Sequence, residues 1–309
     1  MNAPAVSILT PTYNRAHVLP RAYQSLCRQS CLDLEWVVAD DGSTDGTRAL
    51  IEGLMADAPF AIRYLPLPHR GKPYAMRDGF AACRGEYLYE LDSDDELAET
   101  AVERGLAVWA SLEHPEEYHD VNGWGWVPEQ QKPTGLPFPK NINQLPPKKQ
   151  RALSAKLGKG AGLCGEQRSF RRTAHCQSYP FPIPEGLSFI PENLLWNRIY
   201  CDYKRFYTNE RFMIYHAAEQ ADSLLANTRR DARPAYEYYL YHFNEIFPRD
   251  PSWRGRETYR AAAGLALAAA RCGAGCRPTL ARLRGGGARF LTALCWLPMA
   301  LLHRLLPGG

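Results

Sequence analysis

The sequence predicts an α/β protein: an open, mostly parallel central sheet flanked by helices, with a helical extension at the C-terminal end. Three observations carry this. Apolar strand-like runs alternate with helix-periodic runs from residue 6 to residue 91, the pattern of parallel strands joined by crossover helices. Polar clusters follow three of those strands, where open parallel sheets place their ligands. From residue 231 onward the pattern is helical, and after Glu257 the charged side chains apart from histidine are seven arginines.

Val6-Ser7-Ile8-Leu9 reads as a first strand, stopped by the turn-rich run Thr10-Pro11-Thr12-Tyr13-Asn14-Arg15. Val18, Leu19, Ala22, Tyr23 and Leu26 then recur at helical spacing, and Pro20 is acceptable in a first turn. Glu35 to Ala39 is almost wholly apolar, as buried parallel strands are, and ends in Asp40-Asp41-Gly42-Ser43-Thr44-Asp45-Gly46. A helix from Thr47 to about Met55, a strand Ala61–Leu65, a helix Gly71–Ala82 and a strand Glu86–Leu91 follow. That last strand runs into Asp92-Ser93-Asp94-Asp95-Glu96, four potential negative charges within five residues. Like charges at this density cost free energy unless water or a cation relieves them. A hard divalent ion, held by one or two carboxylates plus a substrate's phosphates, is a usual solution. The plainer reading makes Asp94 or Asp95 the N-cap of a helix over Leu97–Leu112. The topology predicts that the three polar clusters converge in one cleft.

Residues 113–159 are poor in regular pattern. Trp124 and Trp126 alternate as in a strand, a spacing that serves an apolar core or a sugar-stacking face. Lys140 to Lys156 is basic, contains Pro146-Pro147, and is expected to be a mobile loop or lid edge, or more simply a solvated charged face. Tyr236, Tyr239, Leu240, Phe243 and Phe247 mark one packing face of a helix, and an alanine-rich helix covers Tyr259–Arg271. The expected organisation is 1–112, 113–230 and 231–309: two halves of one α/β domain, then the helical extension.

The net charge of +4 is unevenly placed, because the first 257 residues carry 30 basic and 33 acidic side chains, a net of −3. This excludes a nucleic-acid-binding core and points to a basic tail meeting something anionic. Phe290 to Leu302 is mostly apolar, interrupted by Pro298 and bracketed by Arg284, Arg289 and Arg304. It is too short for the roughly 20 residues that span a bilayer. It reads as an interfacial anchor on an anionic membrane, with Trp296 at the boundary, or as a last helix packed on the protein. Met1-Asn2-Ala3-Pro4 leads straight into a strand, which predicts no cleaved leader. The nine cysteines then read as reduced thiols of a cytoplasmic protein, peripheral on the inner face of the plasma membrane. Cys27 and Cys31, like Cys272 and Cys276, stand at helical spacing and read as packing residues of a helix face.

Leu9 to Arg15, Val37 to Asp45, and Leu91-Asp92-Ser93-Asp94-Asp95 together resemble the signature blocks of family 2 glycosyltransferases, which have the GT-A fold. The resemblance resumes over Gly165–Thr173, Phe181–Gly186, Phe189–Ile199, Tyr207–Glu210 and Ile214–His216, similar to the acceptor half of a subgroup. It implies that Pro11 and Tyr13 wall the nucleotide base, with Arg15 beside them, and that Asp40 and Asp41 bind base and ribose. Asp92-Ser93-Asp94 matches the Asp-X-Asp motif, with Asp92 and Ser93 on the ribose side and Asp94 binding Mn²⁺ or Mg²⁺. Gly71-Lys72 matches a segment near the donor, and Glu192 occupies the place of the general base. Here Arg77-Asp78 stands where the family usually has Asn, and Asn193 replaces the second acid of a Glu-Asp pair. As residues alone, Glu192 after Pro191 also reads as a first-turn acid complementing a helix dipole, and His216 as a structural histidine or a metal neighbour.

The implied activity is a metal-dependent, inverting transfer of sugar from a nucleotide diphosphate, UDP first, to a hydroxyl of a cell-surface polysaccharide or glycolipid. The implied partners are a nucleotide-sugar, a glycan or lipid-linked acceptor and an anionic membrane surface. A polyprenyl phosphate acceptor is a second reading and would need basic residues such as Arg168, Arg171 or Arg172. A nucleotidyltransferase would share the sheet but lacks its Gly-rich loop after Leu9. A non-catalytic sugar-nucleotide-binding protein is the non-enzyme alternative.

Overall fold

The computed structural model describes residues 3–160, 167–216, 231–250 and 256–305. Gly165 and Glu166, part of one expected block, lie outside them. The chain divides into two compact units, residues 1–180 with 203–220, and residues 181–202 with 221–309.

The first unit is a nine-stranded sheet with helices against it. β1 (Val6–Thr12), β2 (Leu34–Asp40), β3 (Ala61–Pro66) and β4 (Tyr87–Glu90) alternate with α1 (Leu19–Cys27), α2 (Thr47–Leu54) and α3 (Lys72–Ala82). β5 (Glu96–Leu97), α4 (Ala101–Ala110), β6 (Tyr118–Val127), β7 (Lys132–Pro133), α5 (Pro147–Gly160), β8 (Gln167–Arg172), α6 (Thr173–Ser178) and β9 (Lys204–Ile214) complete it. The order is β3-β2-β1-β4-β8-β6-β9-β5, with β7 on β6. Pairing is parallel from β3 to β4 and mixed beyond, β8 running antiparallel to both β4 and β6.

Every residue of β1 and β2 is buried, which their near-continuous apolar sequence requires of strands covered on both faces. The polar exceptions are paired. Glu35, with no exposure, accepts from the Ser7 hydroxyl at 2.6 Å, the Arg84 amide at 2.8 Å and the Arg84 guanidinium at 2.8 and 3.0 Å. The Ser7 hydroxyl accepts in turn from the Gly85 amide at 2.9 Å. A side chain at Gly85 would lie 2.5 Å from the Ser7 nitrogen, so only glycine lets the chain enter β4 here.

Three expectations are corrected. The helix expected from Leu97 begins at Ala101, because Glu96 and Leu97 pair antiparallel with Ile214 and Met213 as β5. Thr100 is its N-cap, so neither Asp94 nor Asp95 caps it. The expected loop at Lys140–Lys156 contains α5, which Pro147 opens at no cost in hydrogen bonds because a first-turn amide has no partner to lose. Leu153 and Leu157 of α5 pack on Trp124, Phe138, Ile142 and Tyr207. The irregular middle is organised by β6, ten residues between β8 and β9. Trp124 is core, stacked on Phe138 with centroids 4.5 Å apart, while Trp126 is half-buried beneath the Arg211 guanidinium.

The second unit is helical: α7 (Asn193–Ile199), α8 (Arg233–Tyr241), a π turn at His242–Ile246, α9 (Arg256–Arg271), α10 (Cys276–Arg282) and α11 (Gly286–Leu305). The stripe Tyr236, Leu240 and Phe243 meets Ala261, Ala262, Leu265, Ala268 and Ala269 of α9, with Tyr239 and Phe247 at its edge. Ala288, Leu291, Cys295 and Trp296 of α11 pack on the same cluster. Trp296 therefore faces protein rather than the boundary expected for it, whereas Phe290 and Leu294 are 68% and 60% exposed on another face. Neither cysteine pair shares a helix: Cys31 lies beyond α1, and Cys272 and Cys276 fall at the end of α9 and the start of α10.

Buried histidines give the fold an acid limit. His119, fully buried on β6, sits 3.4 Å from His175 between the two Nδ1 atoms. Burial pushes His119 down to about 3 and also lowers His175. Between pH 6.5 and about 3 the unfolded chain binds a proton that His119 in the fold does not, so stability falls on acidification through that window. The expected slope is about 1.4 kcal/mol per pH unit for each such histidine. Urea titrations at pH 7, 6 and 5 should show it, with a shallower slope in His119→Asn; equal slopes would refute the assignment.

Candidate functional site

The carboxyl ends of β1, β2 and β4 lie side by side, since Thr12 pairs with Asp40 across β1 and β2, and Leu9 with Glu90 across β1 and β4. The turns after them are knitted together. Asn14, at φ +54°, accepts through Oδ1 from the Thr44 amide at 2.8 Å, and its own amide donates to the Ser43 hydroxyl at 2.8 Å. Asp45 accepts from the Ala16 amide at 3.1 Å and the Thr47 amide at 3.0 Å.

Asp40 closes β2 and accepts from the Ser43 amide at 2.9 Å, the Ser43 hydroxyl and the Tyr64 hydroxyl. Asp41 takes the Arg70 amide at 2.8 Å on Oδ1 and the Gly71 amide at 2.8 Å on Oδ2. The His69 ring is 2.8 Å from the Asp41 carboxylate and stacks on Tyr13 at 4.1 Å and 16°. Gly42 (φ +76°) and Gly71 (φ +106°) both occupy the left-handed region, and a Cβ on Gly42 would meet the His69 nitrogen at 2.8 Å. Tyr13 is 41% exposed, whereas Pro11 is buried inside β1 and Arg15 is half-buried in the turn after it.

At the end of β4 the charges are sorted. Asp92 is held by Lys72 at 2.9 Å and by the Arg168 guanidinium. Burial works to raise its pKa, but Lys72 and Arg168 outweigh burial and hold the carboxyl well below the usual range. Lys72 also lies 3.4 Å from buried Glu90. Asp95, almost fully buried, is pushed up to about 7 by burial against the opposing pull of Arg168 at 3.2 Å. Ser93 is buried between them. Asp94 is different. It is half-buried, its main-chain oxygen accepts from Arg21, and among the described residues its carboxylate takes no hydrogen bond or ion pair.

That open carboxylate is the group in the cluster suited to a hard cation. No set of three or more His, Cys, Asp or Glu side chains is arranged to hold a metal among the described residues. The donor set thus fits an ion that takes one or two protein oxygens and completes its shell from phosphates and water. His216 is engaged with Glu96 at 2.7 Å and Glu129 at 3.7 Å.

The structure thus brings Pro11, Tyr13, Arg15, Asp40, Asp41, Lys72, Asp92, Ser93 and Asp94 to one edge of the first unit. Glu192 belongs to the second unit, at the N-cap of α7, where its carbonyl accepts from the Leu195 amide at 3.0 Å. Two site residues were not singled out for it from sequence: His69, whose partner lies 28 residues away, and Arg168, which reaches Asp92 from β8. Arg171, weighed as an acceptor contact, is buried and lies 3.9 Å from Glu90, and Arg172 packs over Trp109 and Tyr87.

Comparison with known proteins agrees with this geometry. A chondroitin synthase of Escherichia coli is 38% identical over 100 residues, 32% of this chain and 14% of that protein. The chain covers 28% and 10% of the next two curated relatives, well under their full length. A GalNAc(5)-diNAcBac-PP-undecaprenol beta-1,3-glucosyltransferase of Campylobacter jejuni is 26% identical over 238 residues, 77% of this chain and 72% of that one. Among solved structures, S. aureus TarS 1-349 in complex with UDP-GlcNAc superposes with a TM-score of 0.56 at 15% identity, covering 97% of this chain and 91% of that one. The mannosyltransferase PcManGT from Pyrobaculum calidifontis, in complex with GDP-Man and Mn²⁺, gives 0.55 at 17% identity, covering 99% and 88%. These superpositions establish a shared GT-A fold. The family model for glycosyl transferase family 2 matches residues 7–176, the stretch that holds every strand end of the site, and the chain belongs to that family.

Proposed function

We propose that the protein is a metal-dependent, inverting glycosyltransferase that moves a sugar from a nucleotide diphosphate, UDP first, to a hydroxyl on a cell-surface polysaccharide or glycolipid. The observation that carries this is the open Asp94 carboxylate beside the Asp92–Lys72–Arg168 cluster. In this reading Tyr13 and His69 flank the base, Pro11 and Arg15 support that wall, and Asp40 and Asp41 face base and ribose. Lys72 and Arg168 lie where a diphosphate's negative charge would compete for them. Asp94 would hold Mn²⁺ or Mg²⁺, which when bound supplies Lewis acidity to the leaving diphosphate. Glu192 takes the proton of the acceptor hydroxyl. Single displacement needs only one carboxylate on the attacking face, so in this reading the anomeric configuration inverts.

The name of the C. jejuni relative, with its diphosphate-linked undecaprenol, supports a lipid-linked glycan as acceptor. A bare polyprenyl phosphate is disfavoured, because Arg171 is buried and Arg172 is spent on aromatic rings. No described helix is long and apolar enough to cross a membrane. Contact with an anionic surface on the inner face of the plasma membrane would fall to Phe290, Leu294 and the tail arginines, rather than to Trp296. Thermal denaturation with UDP, GDP and dTDP, each with and without Mn²⁺, tests the donor site. A ligand that binds only the native state raises stability with the logarithm of its concentration over Kd, so a Mn²⁺-dependent shift is expected for UDP. No shift with any nucleotide would refute the reading.

A further inference from the structure

The second unit contains a cavity of about 410 Å³ that the donor site does not use. Its volume lies in the lower part of the range that holds small ligands. Pro191 and Asn193 line it from either side of Glu192 in sequence, and Phe189, Tyr238 and Tyr239 give it aromatic walls. Leu267 and Ala268 of α9 form an apolar floor, while Asn193, Asp231 and Arg271 supply polar groups.

The walls are held in place. A Cβ on Gly264 would lie 2.4 Å from the Tyr239 ring, so the glycine lets that ring lie flat against α9. The Tyr238 ring packs on His242 with centroids 4.2 Å apart and the planes tilted by 39°. Asp231 is oriented by Arg233, which donates to Oδ1 at 3.1 Å and to Oδ2 at 3.0 and 2.7 Å. Arg271 is exposed and, among the described residues, makes no ion pair.

We infer that this cavity is a pyranose subsite that receives a sugar ring of the acceptor. An aromatic-walled pocket with an amide, a carboxylate and a guanidinium matches a pyranose, which has C–H faces for rings and hydroxyls on its rim. A purely lipidic occupant would make no use of the exposed Asn193 amide and Arg271 guanidinium at the rim. The inference rests on the glycosyltransferase reading for the word acceptor, but the pocket itself does not.

Saturation-transfer NMR on the intact protein, with methyl β-glucopyranoside, lactose and N,N′-diacetylchitobiose as probes, tests it. Ala235, exposed at the pocket lining, is the position to fill, since Ala235→Trp blocks the cavity from a surface site and leaves the helix core alone. At least one glycoside should show transfer that falls at least tenfold in Ala235→Trp and severalfold in Arg271→Ala, while the UDP-dependent melting shift stays. Equal transfer in wild type and Ala235→Trp, or no transfer from any of the three while UDP still binds, would overturn the subsite. If UDP fails to bind but sugar transfer is lost on filling, the pocket stands and the donor reading falls. Displacement of the glycoside signal by decyl-chain detergent below its critical concentration would assign the cavity to a lipid instead.

Discussion

Asp94→Ala should abolish sugar transfer, by on the order of 10³-fold, without destabilising the protein. The carboxylate has no partner among the described side chains, so folding loses nothing when it goes. It also contributes to the upward push on Asp95, so its removal relieves repulsion, and the melting temperature should stay level or rise slightly. A group that raises stability when deleted and abolishes activity is held for function rather than for the fold. Asp92→Ala should differ, because it strips Lys72 and Arg168 of their shared anion and should cost stability as well as transfer. Initial rates with a UDP-sugar and Mn²⁺, set beside calorimetric melting, separate the two. An Asp94→Ala protein that keeps a tenth of wild-type transfer would end the case for Asp94 as the metal ligand.

Glu35→Ala should have the largest effect on stability, about 3–5 kcal/mol, the cost of breaking a buried charged network from one side. It removes the acceptor for Ser7 and for three Arg84 donors at the base of the sheet. Arg84→Ala should also be costly, because it leaves the fully buried Glu35 carboxylate without its guanidinium, although the Ser7 hydroxyl and the residue-84 amide still donate to it. Burial raises the Glu35 carboxyl, but the Ser7 hydroxyl and Arg84 more than reverse this, leaving it below its usual 4.5. The stabilisation is therefore complete above pH 4.5 and is lost as pH falls through the lowered value. Urea unfolding at pH 7 and pH 4 should show the variant's deficit shrinking at pH 4; a deficit under 1 kcal/mol at pH 7 would sink the assignment.

What could be read from the sequence was what local chemistry dictates. β1 to β4 were readable because buried parallel strands are continuous apolar runs, and their ends because Asp, Gly and Thr clusters punctuate them. The meeting of Asp40, Asp41 and Asp92 at one edge followed from topology. The contacts of Arg168 were not readable, because the antiparallel pairing of β8 with β4 brings Arg168 to Asp92 across 76 positions of sequence. β5 was hidden for a similar reason: two residues paired with a distant strand leave no periodic trace. α5 was masked by Pro146-Pro147, where a loop and a proline-opened helix share one signal until Leu153 and Leu157 find Trp124. The cavity in the helical unit depends on Gly264 and Tyr239 meeting across two helices, which neither helix announces alone.

The loop that grips Asp41 has a consequence for how such a site changes over generations. Its hold on the carboxylate is made by the main-chain amides of Arg70 and Gly71, with the His69 ring as the one side chain beside them. A backbone amide donor is present in every residue but proline, whereas Gly42 and Gly71 are fixed by their backbone angles. Position 70, which holds Asp41 through its amide alone, can therefore mutate at little cost to that grip, while each change alters the surface of the loop. The architecture separates a heritable frame from a variable letter, which, in the proposed reading, makes position 70 the place to draw a library for altered donor preference.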